Sequence, residues 1–192
     1  IANLRELVAA TDLPVNADFQ CGFGGDAAAV GRNVRRAVET GIAALSIEDR
    51  DGDVLLDTAV AVERLKAARE AIDAVDPTAM LVGRTEGFLI GNTDINATVE
   101  RLKAYSQAGA DVLYAPGVTK PEDIEAIVKA VAPKPVNVIL VSPHMRAEDL
   151  EKLGVRRVSV GGFLATAARA GFDQAVQSLV TKGSLPAVSF GQ

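Results

Sequence analysis

Charged side chains that could bind ions follow directly after several short apolar runs of this sequence. Asp18 follows the first run, Glu48 follows the second, and Arg84 follows the third. A carboxylate supplies oxygen ligands to a hard cation, and a guanidinium can bind both oxygens of an anionic group. The glycine-rich stretch CGFGG comes soon after Asp18, and glycine lets the backbone approach a bound anion closely. These residues could form one ion-binding site if the fold brings the ends of the runs together.

The apolar pattern predicts the elements that would position these residues. Segments with apolar residues at spacings of three and four predict helices that alternate with short strands, and Gly41, Gly109 and Gly154 stand where three helices would end. The predicted strands are Leu13–Ala17, Ala43–Ile47, Ala79–Gly83, Val112–Ala115, Pro135–Leu140 and Arg157–Val160. The predicted helices are Leu4–Ala10, Ala27–Thr40, Asp57–Val75, Thr93–Ala108, Pro121–Ala132, Arg146–Leu153 and Leu164–Val180. Strands that alternate with helices indicate an α/β fold with a parallel sheet.

Such a sheet can be open or closed. An open, doubly wound sheet would carry G-x-G-x-x-G after its first strand, but Ala27 replaces the third glycine here. A closed (β/α)₈ TIM barrel predicts functional polar residues at the carboxyl ends of several strands, which is the pattern of this sequence. Only six strands are visible where a barrel has eight, so we expect the first two strands to be missing from this chain.

Composition narrows the class of protein and of partner. The chain has 192 residues and a net charge of -5, with no basic run, so we expect no nucleic-acid partner. No apolar run approaches the ~20 residues of a membrane helix, and no secretion signal opens the chain. Cys21 is the one cysteine and cannot form an internal disulfide. These features predict a cytoplasmic protein that does not bind membranes.

Five segments, in order, resemble the isocitrate lyase / phosphoenolpyruvate mutase superfamily. They are LPVNADFQCGFGG, GIAALSIEDRDGD, VGRTEGFLIG, YSQAGADVLYAPG and LGVRRVSVGG. The resemblance covers essentially the whole chain and implies a single barrel domain over residues 1–192, made of strands three to eight of the family barrel. Residues 181–192 would form a C-terminal extension. It also implies a Mg²⁺-dependent enzyme that cleaves or rearranges a C–C or P–C bond of a small 2-oxo acid through an enolate-like intermediate. Family members are often tetramers that exchange the last helix, so we expect a homo-oligomer, a tetramer or a dimer.

The resemblance also implies roles for individual residues. Asp18 and Glu48 would hold the Mg²⁺ ion, and Glu48 would also take part in catalysis. Arg84 would bind the anionic group of the substrate and act in catalysis. Gly22 and Asn137 would contact the substrate, although strand parity alone does not decide which face Asn137 takes.

Each assignment has a structural alternative. Asp18 could cap the next helix, Glu48 could pair with Arg84, and Arg84 could pair with Glu86, which would orient it. Asp49 is interpreted as structural, and the acidic run that it opens is interpreted as a solvated turn.

Several positions depart from the family pattern or stay open. Gln20 stands where many relatives have a second carboxylate, and it would share a face with Asp18 if the strand stays extended. The short segment EDRDGDVLLD has no Cys, Lys or His to act as a catalytic acid, which favours the mutase-like branch over isocitrate or methylisocitrate lyases. It also leaves a non-catalytic 2-oxo-acid-binding barrel as an alternative. An aldolase with a Schiff-base lysine is disfavoured, since no lysine ends a strand.

Three further features are weaker candidates for functional roles. Cys21 is expected to be a small buried thiol. His144 either lines the barrel mouth or simply precedes a helix, and Gly161 with Gly162 either binds an anion or allows close helix packing.

Overall fold

The structure, a computed structural model, describes residues 1–187 as alternating helices and strands. The helices are α1 (Ala2–Ala9), α2 (Ala27–Val38), α3 (Thr58–Asp73), α4 (Ile95–Gln107), α5 (Pro121–Val131), α6 (Ala147–Lys152) and α7 (Phe163–Lys182), with a 3₁₀ helix at Gly87–Ile90. The strands are β1 (Asn16–Asp18), β2 (Ala44–Glu48), β3 (Arg50–Asp51), β4 (Val54–Leu55), β5 (Met80–Arg84), β6 (Val112–Tyr114), β7 (Val136–Ile139) and β8 (Arg157–Ser159). All six predicted strands and all seven predicted helices are present, with ends shifted by a few residues.

One parallel sheet of six strands organises the molecule. Its strands run in the order β1-β2-β5-β6-β7-β8, and every neighbouring pair is parallel. The sheet is curled like half of a barrel, and its two edges, β1 and β8, do not pair with each other within residues 1–187. The α/β class and the parallel sheet are confirmed. The closed barrel, and the expectation that its first two strands are missing from this chain, stay predictions.

Local sequence features explain where the helices begin and end. The Asp26 side chain accepts a hydrogen bond from the Ala29 N–H at 2.7 Å and caps α2, and Asp94 caps α4 in the same way. Asp18 therefore does not cap α2, which excludes that alternative for it. Gly41, with φ +88°, takes the left-handed conformation that was predicted at a helix end.

The apolar core lies between the sheet and the helices that cover its outer face. Its fully buried side chains come from strands and helices alike and include Val34, Leu45, Leu65, Leu81 and Leu113. The inner face of the curled sheet carries polar side chains and a cavity. The packed outer face therefore holds the strands in place, so that their carboxyl ends can position the site.

Two parts of the chain lie outside this arrangement. The segment after Glu48 forms a small hairpin of β3 and β4, turned at Gly52 with φ +59°. The helix α7 has no buried residue over its 20 residues. The C-terminal extension predicted over 181–192 begins within the end of α7, and its residues 188–192 lie outside the described part of the chain.

Across residues 1–187, we find no helix with both the length and the apolar character needed to span a bilayer.

Candidate active site

Asp18, Glu48 and Arg84 are the last residues of three neighbouring strands, β1, β2 and β5. Glu48 and Arg84 are register partners across the sheet. Because the strands are parallel, all three residues meet at one edge of the sheet, as the sequence predicted. Arg84 Nη1 lies 3.3 Å from Asp18 Oδ2, and Arg84 Nη2 lies 3.7 Å from Glu48 Oε2.

Arg84 lies at the centre of this cluster. Its Nε donates to Glu86 Oε1, so a third carboxylate binds the same guanidinium. The guanidinium carbon also lies 5.4 Å from the centroid of the Tyr114 ring, a distance at which a cation is attracted to the ring face. Burial acts to lower the pKa of Arg84, but the hydrogen bond and charge of Glu86, together with Asp18 and Glu48, raise it above its usual value. Arg84 is therefore a fixed, permanently charged group, and the pairing with Glu86 that was expected to orient it is present.

The surroundings of Glu48 favour the uncharged form of its carboxyl group. Burial is the largest cause of its raised pKa, and the neighbouring charges of Glu86 and Asp18 add to the effect, while Arg84 and Arg50 oppose it. When other carboxylates lie close to a carboxyl group, a cation that binds beside it stabilises its charged form. The electrostatics at Glu48 therefore suit a site that is completed by a positive ion.

Asp49, which is buried next to the charged cluster, holds part of the cluster in place. It is only 1% exposed, and it accepts hydrogen bonds from Tyr105 Oη (2.5 Å), Thr85 Oγ1 (2.7 Å), the Glu86 N–H (2.9 Å) and Arg101 Nη1 (3.2 Å). The interpretation of Asp49 as a solvated turn residue is wrong, because these donors draw the carboxylate into the interior. The structural role expected for Asp49 agrees with this network. Asp49 holds the backbone of Glu86 in place, and Glu86 in turn binds Arg84.

A cavity of about 500 Å³ opens beside the cluster on the inner face of the sheet. Asn137 lines it, so the side chain of Asn137 does face the interior of the curled sheet. Gly161, at the start of the segment before α7, lines it too. The full lining is Asn16, Asp18, Ser46, Val82, Arg84, Tyr114, Asn137, Ile139, Arg157, Ser159 and Gly161. The charged cluster and the cavity together form a pocket that can hold a small anionic molecule.

Comparison with known proteins agrees with this geometry. The family model described as phosphoenolpyruvate phosphomutase matches residues 1–180. The chain belongs to this family. Among curated relatives, a 2-methylisocitrate lyase from Halalkalibacterium halodurans is 32% identical over 162 residues, which is 80% of this chain and 53% of the relative. An oxaloacetate decarboxylase from Pseudomonas aeruginosa is 36% identical over 78% of this chain and 53% of its own length. The chain thus spans about half the length of the curated relatives it matches.

Solved structures of other family members share this fold. A protein from Burkholderia cenocepacia J2315, described as a lyase or mutase, is 40% identical and matches with a TM-score of 0.91 over 98% of this chain and 71% of its own. A 2,3-dimethylmalate lyase of the phosphoenolpyruvate mutase/isocitrate lyase superfamily is 26% identical and matches with a TM-score of 0.86 over 100% of this chain and 69% of its own. The resemblance read from the five sequence segments is therefore confirmed at the level of the superfamily.

The glycine-rich loop of this family member is held by two side chains that sequence reasoning did not identify. Arg64 on α3 donates to the carbonyl oxygens of Cys21 (3.2 Å) and Gly25 (3.3 Å). Asn33 on α2 donates to those of Gly22 (3.1 Å) and Phe23 (2.9 Å). No local sequence pattern pointed to either side chain, because their partners lie 10 to 43 residues away along the chain.

Gly22 itself lies outside the cavity lining. Its φ is +87°, and a Cβ at this position would lie 2.7 Å from Val30 Cγ1. The structural reason for glycine here is thus the left-handed backbone and close contact with α2. Its expected contact with substrate stays a prediction.

Gln20 does not continue the strand alternation from Asp18. The strand β1 ends at Asp18, and Gln20 has φ +47°. The chain is therefore not extended through residue 20, as it would have to be for Gln20 to share a face with Asp18. Gln20 does not line the cavity. Cys21 is only half-buried, so the expectation of a fully buried thiol is not met. His144 is exposed in the loop before α6 and lies outside the cavity lining.

The residues of the site fit a Mg²⁺ ion that keeps most of its water. Asp18 and Glu48 each lie within ion-pair distance of the Arg84 guanidinium. Asp18 lines the cavity and has 67% of its side chain accessible, whereas Glu48 is largely buried and does not line the cavity. Mg²⁺ commonly takes one or two protein carboxylates and retains several waters. No group of three or more His, Cys, Asp or Glu suited to hold a metal occurs in residues 1–187, so a fully protein-ligated metal does not fit, whereas a hydrated Mg²⁺ does.

Proposed function

We propose that this chain carries the site of a Mg²⁺-dependent enzyme that cleaves or rearranges a C–C or P–C bond of a small 2-oxo acid through an enolate intermediate. The observation that supports it most is the meeting of Asp18, Glu48 and Arg84 at the carboxyl edge of the parallel sheet, beside the cavity. That edge is where barrel enzymes place their catalytic groups.

In this proposal, Asp18 and Glu48 hold the ion, and Arg84 binds an anionic group of the substrate. The bound Mg²⁺ would supply a Lewis acid for the negative charge that develops on the 2-oxo group. Glu86 and Tyr114 restrict the Arg84 side chain, so its guanidinium is already oriented before substrate enters. A preoriented charge loses no reorganisation energy when the reaction begins.

The names of the relatives favour carbon–carbon chemistry. A 2-methylisocitrate lyase, an oxaloacetate decarboxylase and a 2,3-dimethylmalate lyase all appear among the matches, alongside a phosphoenolpyruvate phosphomutase. We therefore place a C–C lyase or decarboxylase first. A mutase acting on a P–C bond comes second; the sequence pattern left the choice between C–C and P–C chemistry open.

A non-catalytic protein that binds a 2-oxo acid is the alternative function. The structure offers one observation in its favour: the segment after Glu48 is a tight hairpin, β3–β4, without Cys, Lys or His. That hairpin supplies no side chain with the usual chemistry of a general acid.

A turnover assay separates the two functions. The protein is incubated with a panel of 2-oxo acids and 2-hydroxy dicarboxylic acids, with Mg²⁺ or with EDTA, and products are identified by mass spectrometry. Glu48→Gln should lower turnover by roughly 100-fold or more, because even outer partners of metal ligands affect activity by about 10- to 100-fold. Glu151→Gln, an exposed change on α6, is the matched control and should leave turnover unchanged. Binding without turnover of any panel member would favour the non-catalytic alternative.

We also propose that the protein is a homo-oligomer, a dimer or a tetramer. The helix α7 exposes apolar side chains, among them Leu164, Phe172 and Val180 at 71%, 68% and 75%. Apolar side chains exposed together along one helix suit a contact with another protein surface. A second copy of the chain is the proposed partner for this helix.

A further inference from the structure

The helix α4 reaches the charged cluster through Asp49, although no residue of α4 lines the cavity. Arg101 and Tyr105 are four residues apart, so they lie on the same face of α4. Arg101 Nη1 lies 3.2 Å from Asp49 Oδ2, and Tyr105 Oη lies 2.5 Å from the same oxygen. Arg101 Nη1 also lies 3.3 Å from Tyr105 Oη. Two donors from one helix therefore converge on one carboxylate oxygen.

The other two donors to Asp49 belong to the turn that follows β5. Thr85 Oγ1 donates to Asp49 Oδ2 at 2.7 Å, and the Glu86 N–H donates to Asp49 Oδ1 at 2.9 Å. The Glu86 side chain, which is 3% exposed, accepts a hydrogen bond from Arg84 Nε. A continuous chain of contacts thus runs from α4, through Asp49 and Glu86, to the Arg84 guanidinium.

Arg101 supplies the positive charge that balances Asp49. The Asp49 side chain is 1% exposed, and within residues 1–187 Arg101 is the one cationic side chain at ion-pair distance from it. Removing one partner of a buried ion pair is strongly destabilising, because the other charge is left uncompensated. Loss of Arg101 should therefore displace the Asp49 carboxylate from its donors in Thr85 and Glu86, so that the turn after β5 can move.

We propose that Arg101 and Tyr105 are positioning residues for Arg84, and that α4 thereby controls how tightly the cavity binds an anion. This rests on the proposed function, in which Arg84 binds the anionic group of the substrate. Arg101 and Tyr105 hold Asp49 in place. Asp49 fixes the turn that carries Glu86, and Glu86 fixes the orientation of the Arg84 guanidinium. Misplacement of a site group by about 1 Å can cost about 100-fold in rate, so a helix outside the cavity can affect function through this contact chain.

The NMR signal of the Arg84 Nε–H group tests the positioning directly, because this group donates to Glu86. Arg84→Lys removes the signal and so assigns it. In wild-type protein the Nε–H should exchange slowly with solvent, as buried hydrogen-bonded groups do. Arg101→Gln and Tyr105→Phe should shift the signal toward that of an exposed arginine and make its exchange faster.

Arg69→Gln is the matched control. Arg69 pairs with Asp111 at 2.8 Å, and its side chain is as buried as that of Arg101, with 16% exposed against 18%. Asp111 directly precedes β6, so this pair lies at the opposite edge of the sheet from Arg84. Its loss should destabilise the protein without changing the Arg84 Nε–H signal, since distant sites act independently.

Calorimetric titration with oxalate, in the presence of Mg²⁺, measures the consequence for anion binding. Arg101→Gln should weaken oxalate binding by about tenfold or more, and Tyr105→Phe by about two- to tenfold, the range for charged and neutral hydrogen bonds. Arg69→Gln should change it by less than about twofold. Arg101→Lys should restore most of the affinity, because the single atom Nη1 makes both contacts of Arg101 and one ammonium group can replace it. Tyr105→Phe removes only a hydroxyl group and keeps the test decisive if Arg101→Gln does not fold.

The proposal is overturned if the α4 variants change the Arg84 signal no more than Arg69→Gln does. It is also overturned if wild type and the α4 variants bind oxalate equally well, or if Arg101→Lys loses as much affinity as Arg101→Gln. A changed Arg84 signal in the α4 variants of a protein that binds no oxalate would support the positioning role and contradict the proposed function. Mg²⁺-dependent turnover with an unchanged Arg84 signal in these variants would do the reverse.

Discussion

Two buried carboxylates, Glu86 and Asp49, determine the geometry of the charged cluster. Glu86 binds Arg84 directly, and Asp49 binds the backbone N–H of Glu86. The sequence predicted Asp18, Glu48 and Arg84 because each follows an apolar run. The Asp49 network was not predictable in the same way, since its donors Tyr105 and Arg101 lie 56 and 52 residues away along the chain. Local patterns place residues on elements, but only the assembled fold shows which buried polar groups satisfy one another.

Replacing Glu86 with Gln should destabilise the protein. The amide keeps the shape and an acceptor, but Arg84 loses a buried counter-charge, which should lower the free energy of unfolding by about 1–3 kcal/mol. Urea denaturation measures it. Glu63→Gln breaks an exposed pair with Lys66 and should cost less than about 1 kcal/mol. Equal losses in the two variants would contradict the role given to Glu86.

Replacing Tyr105 with Phe should change how stability depends on alkaline pH. Burial is the main cause of the raised pKa of Tyr105, with the charge and hydrogen bond of Asp49 adding to it and Arg101 opposing it. Below about pH 10 the tyrosine is protonated in both states. Above that pH only the unfolded chain releases the proton, so wild-type stability falls by about 1.4 kcal/mol per pH unit from this group until the raised folded pKa is reached. The stability difference between wild type and Tyr105→Phe should therefore shrink from pH 8 to pH 11 in urea denaturation. A difference that is constant over this range would rule the assignment out.

At the scale of elements, the strands and helices followed from apolar periodicity, whereas the hairpin and the loop contacts did not. The strands β3 and β4 have two residues each, which is too short for any period to be visible. The loop after β1 takes its shape from Arg64 and Asn33 on two helices, and these contacts depend on how α2 and α3 pack. The face of Asn137 was left open by the sequence for a related reason: alternation along a strand does not say which side is the core.

Replacing Arg64 with Met should loosen the loop of residues 19–25 before it affects the sheet. The carbonyl oxygens of Cys21 and Gly25 lose their hydrogen-bond donor. The methionine side chain takes the place of the aliphatic part of the arginine, so apolar packing is largely kept. We expect amide hydrogen exchange in this loop to become faster than in β6, because the loop would open locally without global unfolding. Lys66→Met, an exposed change on the same helix, is the control. A uniform increase of exchange throughout the protein would show that Arg64 supports the whole fold instead.

At the scale of the whole molecule, a half-barrel with its site at one edge carries a long helix without buried residues. The sheet and its covering helices account for the core, but α7 has no partner within the described part of the chain that buries its apolar side chains. The proposed homo-oligomer gives this surface a partner and remains to be tested in solution.

Phe172→Glu tests the oligomer. Phe172 is exposed in a single chain, so the change should leave the fold of one subunit intact. If α7 binds a second copy, a charge in that contact should shift the protein toward smaller species in sedimentation velocity. Gln174→Glu introduces the same charge two residues away and should have a smaller effect. A monomeric wild-type protein would refute the proposed assembly.

Asp18 and Glu48 are proposed to form a Mg²⁺ site beside the cavity, and calorimetric titration of Mg²⁺ measures binding at that site. Wild-type protein should bind Mg²⁺, and Asp18→Asn should weaken binding by roughly tenfold or more, since outer partners of metal ligands already contribute about 10- to 100-fold. Asp12→Asn makes the same change at an exposed position outside the site and should leave the affinity unchanged. Equal Mg²⁺ affinity in wild type and Asp18→Asn would show that Asp18 does not hold the ion.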